Sequence, residues 1–155
     1  MKQSIIRCIF VSTCLFGYVF HGYGQEKKTA FNHVALSVYD LKKSASFYEE
    51  VLQLDTIPEP FKIGKHKWFK IGPGLSLHLV NDAPEITEHR RNTHICFSVA
   101  SIDEFVGRLN EFGVAYYNVQ QERGKVGVRV DGVKQLYIQD PDGYWIEIND
   151  ERIGR

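Results

Sequence analysis

Cysteine is scarce in this chain, with three in 155 residues. Two of them, Cys8 and Cys14, fall in an N-terminal segment that reads as removable. With only Cys96 left, no internal disulfide can form, and packing alone must hold the fold. Excess charge of either sign is also missing, since 19 Lys and Arg face 19 Asp and Glu. That balance removes the basic field on which nucleic-acid binding depends, so no nucleic-acid partner is expected. The apolar run from about Cys8 to Phe20 is too short for a bilayer, which needs roughly 20 apolar residues.

That first segment has its own logic. "MKQSIIRCIFVSTCLFGYVFHGYGQ" places Lys2 and Arg7 before the apolar run, and small residues Gly22 and Gly24 before Gln25. It reads as a secretory signal peptide over 1–24, cleaved around Gly24, so the protein is expected to be periplasmic or secreted and free of the membrane. Removal leaves 131 residues, with 17 basic against 19 acidic and a net charge of −2. "QEKKTA", residues 25–30, is a short solvated linker. The remainder is long enough for one domain with a true core, over 31–149, followed by a tail at 150–155.

Within that domain a pattern repeats. "FNHVALSVYD" puts Val34, Leu36 and Val38 on one strand face and His33, Ala35 and Ser37 on the other. "NTHICFSV" does the same with Ile95, Phe97 and Val99 against His94, Cys96 and Ser98, at an offset of 61 residues. Either histidine alone reads as a satisfied strand residue; two in matching register point to an internal repeat.

The segments that follow repeat as well. Asp40 can cap a helix through "LKKSASFYEEVLQL" with a stripe of Leu41, Ala45, Tyr48 and Leu52. Ser101 and Glu104 form a capping box for "IDEFVGRLNEF", and Gly113 sits where a C-terminal cap belongs. Strand-like segments come next: "KWFKIG" and "LSLHLV", then "VAYYNV", "VGVRV", "KQLYIQ" and "YWIEIN", with Asp131-Gly132 as a hairpin signal. Aligning "GPG" at 72–74 with "PDG" at 141–143 superposes His78 on Glu147 and Trp68 on Tyr137. Both halves therefore read β-α-β-β-β: module one at 31–80, an exposed linker at 81–91, and module two at 92–149. The expected fold is α+β, two paired modules forming a curled, cup-shaped mixed sheet with helices outside. His33, His78, His94 and Glu147 all fall on the non-apolar faces. A buried unpaired carboxylate costs several kcal/mol, so one set among three histidines fits a metal best.

"NHVALSVYDLKKSASFYEEVLQL", "THICFSV" and "DPDGYWIEIND" resemble the vicinal oxygen chelate superfamily, which includes glyoxalase I, fosfomycin-resistance thiol transferases, extradiol dioxygenases and bleomycin-binding proteins. The resemblance covers nearly all of the mature chain. It implies one divalent metal ion (zinc, nickel, cobalt, manganese or iron(II)) held by His33, His78, His94 and Glu147. His78 stands where many glyoxalase I enzymes carry glutamate, so Glu147 is the remaining carboxylate and the expected base, with His78 as fourth ligand or second proton carrier. The resemblance also implies halves that pair within one chain or are exchanged between two, hence a homodimer.

The leading functional expectation is a lyase or isomerase of glyoxalase I type, acting on a small molecule with adjacent oxygens such as a 2-oxoaldehyde–thiol adduct. The alternatives are an extradiol-type dioxygenase, a fosfomycin-type thiol transferase, and a metal-free antibiotic-binding protein. Strand parity adds His66, Trp68, Gln135 and Tyr137 as cup-facing residues. Arg129 and Lys134, flanking the hairpin, could meet an anionic substrate or stand as solvated edge charges. Cys96 reads as a small buried filler, and His89, Arg90 and Arg91 as a solvated linker cluster.

Overall fold

A computed structural model describes residues 29–152. The expected signal peptide, most of the 25–30 linker and the last three residues lie outside them.

The described chain runs β1 (His33–Val38), α1 (Leu41–Ser46), β2 (Thr56–Ile57), β3 (His66–Gly72), β4 (Leu75–Asn81), then β5 (His94–Ser98), α2 (Ile102–Glu111), β6 (Tyr116–Tyr117), β7 (Gly127–Val128), β8 (Lys134–Gln139) and β9 (Trp145–Asn149). The Asp40 carboxylate starts α1 by accepting from the Lys42 and Lys43 amides, both at 3.1 Å. The helix then widens into a π turn over Phe47–Val51, which the Leu52 amide closes onto the Phe47 carbonyl at 3.3 Å. The Ser101 hydroxyl caps α2 at the Glu104 amide, 3.2 Å away. Gly113, at φ +66°, ends that helix in a conformation only glycine adopts freely.

Two sheets result, ordered β1-β4-β3-β2 and β5-β9-β8-β6, with β7 on the far part of β8. In each sheet the first and last strands of the module lie parallel and the rest antiparallel. The sheets do not close into a barrel, and β1 and β5 are left as edge strands. Two expected strands, "VAYYNV" and "VGVRV", shrink to two residues each. The first is cut short at Asn118, whose side chain is buried and bonds to the amide and carboxylate of Glu122, turning the chain instead of extending it.

Alternation sorts each strand. Leu36, Val38, Phe69, Leu77 and Leu79 from module one share a single core with Leu136, Ile138, Ile146 and Ile148 from module two, together with helix residues Tyr48, Ile102, Phe105 and Leu109. Beside that core lies a buried polar seam. The Tyr48 hydroxyl donates to Asp140 at 2.8 Å, the Tyr39 amide to Asp142 at 2.7 Å, and the Ser44 hydroxyl also to Asp142. The turn Asp140–Gly143 of module two is thereby fixed to the helix of module one.

Most residues of the 81–91 linker are exposed, as the sequence suggested, but its C-terminal end is anchored to module two. His89 stacks on Tyr144 with ring centroids 3.9 Å apart, and the Trp145 indole donates to the His89 carbonyl at 3.0 Å. Gly143, at φ +85°, lies so close that a Cβ there would stand 2.7 Å from the Thr87 carbonyl. Among the described residues no helix is long and apolar enough to cross a membrane.

Candidate metal centre

Strand register brings the expected residues onto two rows. In module one, Ala35, His78 and Trp68 lie directly opposite one another across β1, β4 and β3, with His33 beside Ser76 in the next row. In module two the matching row is Cys96, Glu147 and Tyr137, with His94 opposite Trp145. The two modules thus carry equivalent positions, His78 matching Glu147 and Trp68 matching Tyr137.

The module-two row is the better organised. Glu147 is 8% exposed. Its Oε2 accepts from the Tyr137 hydroxyl at 2.8 Å, and its Oε1 accepts from the Asn149 amide at 3.1 Å and the Cys96 thiol at 3.6 Å. Burial raises its carboxyl, but the three hydrogen bonds and the neighbouring His94 outweigh burial and hold it below the usual carboxylate range. Glu147 is therefore an anion at neutral pH. Burial, then the bond to Glu147 and its charge, push the Tyr137 hydroxyl up to about 12, so it remains a proton donor.

His94 completes the arrangement. Its Nδ1 lies 2.8 Å from the Arg91 carbonyl, an acceptor without a hydrogen to offer, so Nδ1 carries the proton. Nε2 then turns its lone pair toward Glu147 Oε2, 3.3 Å away. At that spacing the pair can share a proton, as an imidazolium–carboxylate ion pair, or a metal ion. The distance also matches the separation of neighbouring ligands about a divalent ion whose bonds are roughly 2.0–2.2 Å long. The donor set therefore fits a metal, and the bond from Nδ1 to a carbonyl is the outer support that metal-bound imidazoles usually have.

Module one supplies a ring stack. His78 lies between His33, with centroids 4.4 Å apart, and Trp68, with centroids 3.7 Å apart and rings nearly parallel. His33 Nδ1 is held by the Asn32 amide oxygen at 2.7 Å, which leaves Nε2 free. His78 Nε2 is bonded to the Ser76 hydroxyl at 2.7 Å, which leaves Nδ1 free. Burial, then His33 and His66, lower the His78 pKa, so the ring stays neutral and able to ligate. The Trp68 indole nitrogen and His66 Nδ1 are buried without hydrogen-bond partners.

Within one chain the structure joins His33 to His78 and His94 to Glu147, but not one pair to the other. Among the described residues no three His, Cys, Asp or Glu side chains come together as a metal-holding group. Gln135 is buried on the Glu147 face, opposite Asn149. Arg129 is engaged by Asp131 and by Glu151 at 2.9 Å. Lys134 shares the parity of Leu136 and Ile138 and reaches Asp103 on α2 at 3.2 Å, on the helix-bearing side.

Two readings need correction. Cys96 is exposed as a residue where a buried filler was expected, but its sulfur is tucked against Glu147 at 3.6 Å, and this local desolvation together with the carboxylate pushes the thiol up to about 12, far from a nucleophilic thiolate. Arg91 is half-buried where a solvated linker residue was expected. Its guanidinium donates to the Asn118 and Val119 carbonyls at 3.1 and 2.7 Å and lies 5.1 Å from the Tyr137 ring centre. Asn149 was also missed as a site residue, although it shares the parity of Glu147 in "WIEIN" and that signal could have found it.

Comparison with known proteins identifies the family and the fold. Residues 30–148 match the family model described as Glyoxalase/Bleomycin resistance protein/Dioxygenase superfamily. Glyoxylase I 4 of Arabidopsis thaliana is 32% identical over 127 residues, covering 77% of this chain and 70% of that protein. The metallothiol transferase FosB of Shouchella clausii is 32% identical over 122 residues, covering 76% and 77%. Among solved structures, the oxidase ChaP-H2 superposes with a TM-score of 0.66 at 27% identity, covering 82% of this chain and 97% of that one.

Proposed function

Because the chain belongs to the Glyoxalase/Bleomycin resistance protein/Dioxygenase superfamily, we propose that it is a divalent-metal-dependent enzyme of glyoxalase I type. It acts as a lyase or isomerase on a small molecule with adjacent oxygens, such as a 2-oxoaldehyde–thiol adduct. The observation that carries this reading is the His94–Glu147 pair, two lone-pair donors 3.3 Å apart with the outer nitrogen of His94 already committed.

His33 and His78 of one chain, with His94 and Glu147 of a second, would hold the ion. The reading is a homodimer with two composite sites, because each chain keeps its two pairs apart and leaves β1 and β5 as edge strands. When bound, the ion would polarise two adjacent substrate oxygens and stabilise negative charge developing there. The protein's own part is to move the proton. Glu147, anionic and flanked by the Tyr137 hydroxyl, takes the proton from the substrate carbon at Oε1 or Oε2. Tyr137, with its proton held to about 12, keeps the carboxylate oriented and does not compete as a base. Trp68 and Phe61, with ring centres 6.1 Å apart and edge to face, give the module-one side an aromatic lining. Export fits the N-terminal segment, and mass spectrometry of protein from its natural host would then find a mature start near Gln25.

The likeness to an oxidase favours a second reading, an iron(II) dioxygenase using His33, His94 and Glu147 as two histidines and one carboxylate. Metal analysis of purified protein, followed by reloading with zinc, nickel, cobalt, manganese or iron(II), separates the two. Turnover of a 2-oxoaldehyde–thiol adduct without oxygen uptake supports the lyase. Oxygen uptake with iron alone supports the dioxygenase, and failure of every divalent ion to bind overturns both.

A further inference from the structure

We propose that Arg91 is a positioning residue for the module-two half of the site, holding His94 and Tyr137 in the geometry that makes Glu147 a ligand. The proposal rests on the metal-dependent reading above.

Arg91 touches the site in two ways. Its backbone carbonyl accepts from His94 Nδ1 at 2.8 Å, which sets the tautomer and turns Nε2 toward Glu147. Its guanidinium lies over the ring of Tyr137, the residue whose hydroxyl donates to Glu147 Oε2. The cation on the ring face favours that ring position and draws electron density from the phenol, strengthening its donated hydrogen bond.

The same side chain fixes its own backbone. Both arms of the guanidinium bond to consecutive carbonyls, Asn118 at 3.1 Å and Val119 at 2.7 Å, across the start of the 118–124 turn. The segment carrying the Arg91 carbonyl is thus tied to the turn after β6 by a planar fork, aided by the Thr93 amide bonding to the Arg90 carbonyl at 2.9 Å. Among the described residues Arg91 forms no ion pair with a carboxylate, so its charge is not used as a surface salt bridge. Lysine could bring a charge near Tyr137 but could not span both carbonyls.

The test is Zn(II) affinity, measured by competition with a chromophoric chelator, on wild type, Arg91→Ala, Arg91→Lys, Tyr137→Phe and the Arg91→Ala/Tyr137→Phe double variant. Thermal midpoints of the metal-free forms are recorded alongside. Outer-shell partners typically contribute about 10- to 100-fold in metal affinity. Arg91→Ala is expected to lose about that much, and Arg91→Lys to recover only part of it. The double variant should lose less than the product of the two single losses, because Arg91 acts partly through Tyr137. Unchanged Zn(II) affinity in Arg91→Ala beside a tightly binding wild type overturns the proposal, whatever its thermal midpoint. If the wild type binds none of zinc, nickel, cobalt, manganese or iron(II), the metal reading itself is overturned, and the proposal with it.

Discussion

Nε2 of His94 on β5 and Oε2 of Glu147 on β9 face each other across 3.3 Å, and the Tyr137 hydroxyl bonds to the same carboxylate oxygen at 2.8 Å. One oxygen thus meets both a candidate co-ligand and a hydrogen-bond donor, which is the placement a carboxylate needs if it is to bind an ion and also handle a proton. Glu147 takes both roles in the proposed function, and these separate on substitution. Glu147→Gln keeps an amide oxygen that still ligates but cannot accept a proton. The variant should retain measurable metal while turnover falls on the order of 100- to 10,000-fold, the usual contribution of a general base. Metal content and turnover measured on the same preparation check this. Full turnover in the variant would show that Glu147 is a ligand and nothing more.

The buried junction between modules predicts a pH dependence of stability. Asp140 is pushed up to about 6 by burial; bonds from Tyr48 and Tyr144 lower it only in part, and the charge of Asp142 raises it further. The folded state holds this proton more tightly than the unfolded chain, whose value lies near 3.8. The stability it contributes is fully present below about pH 4 and is lost as pH rises through about 6, on the order of 2–3 kcal/mol. In Asp140→Asn the amide oxygen can still accept from the Asp142 and Tyr144 amides, while the amide nitrogen can donate to Tyr48. Its stability relative to wild type should therefore improve between pH 4 and pH 7, as read from urea midpoints. A constant difference across that range would contradict the assignment.

Gly143 offers a test of how firmly the 81–91 linker is anchored at Thr87. A Cβ there would stand 2.7 Å from the Thr87 carbonyl, and the backbone sits at φ +85°. Gly143→Ala should destabilise by on the order of 2–4 kcal/mol, combining left-handed strain with a backbone clash. If the 81–91 segment were loose, it would yield and the cost would fall to that of the strain, about 1 kcal/mol.

Much of this was legible in the sequence because strands obey parity. The repeated histidines and the aligned turns put His33, His78, His94 and Glu147 on the faces away from the apolar stripes, and the registers match that placement. The helix caps at Asp40 and Ser101 were readable for the same local reason. Parity says nothing about how two sheets meet. One shared core and the Tyr48–Asp140 seam keep the two pairs apart within a chain, and those contacts run between residues 92 positions apart. Arg91 was hidden because its partners are backbone carbonyls at 118 and 119, which carry no sequence signature. Cys96 was misjudged because β5 is an edge strand whose His94 face is exposed.

The composite site makes one measurement decisive. His33→Ala and His94→Ala, each inactive and metal-poor alone, are unfolded together, refolded as a mixture and assayed for bound metal. If each site joins module one of one chain to module two of another, every mixed dimer regains one intact site. Random pairing then restores about one quarter of the wild-type sites. If each site instead forms within a single chain, every site in the mixture carries one defect, and the metal content stays at the level of the separate variants.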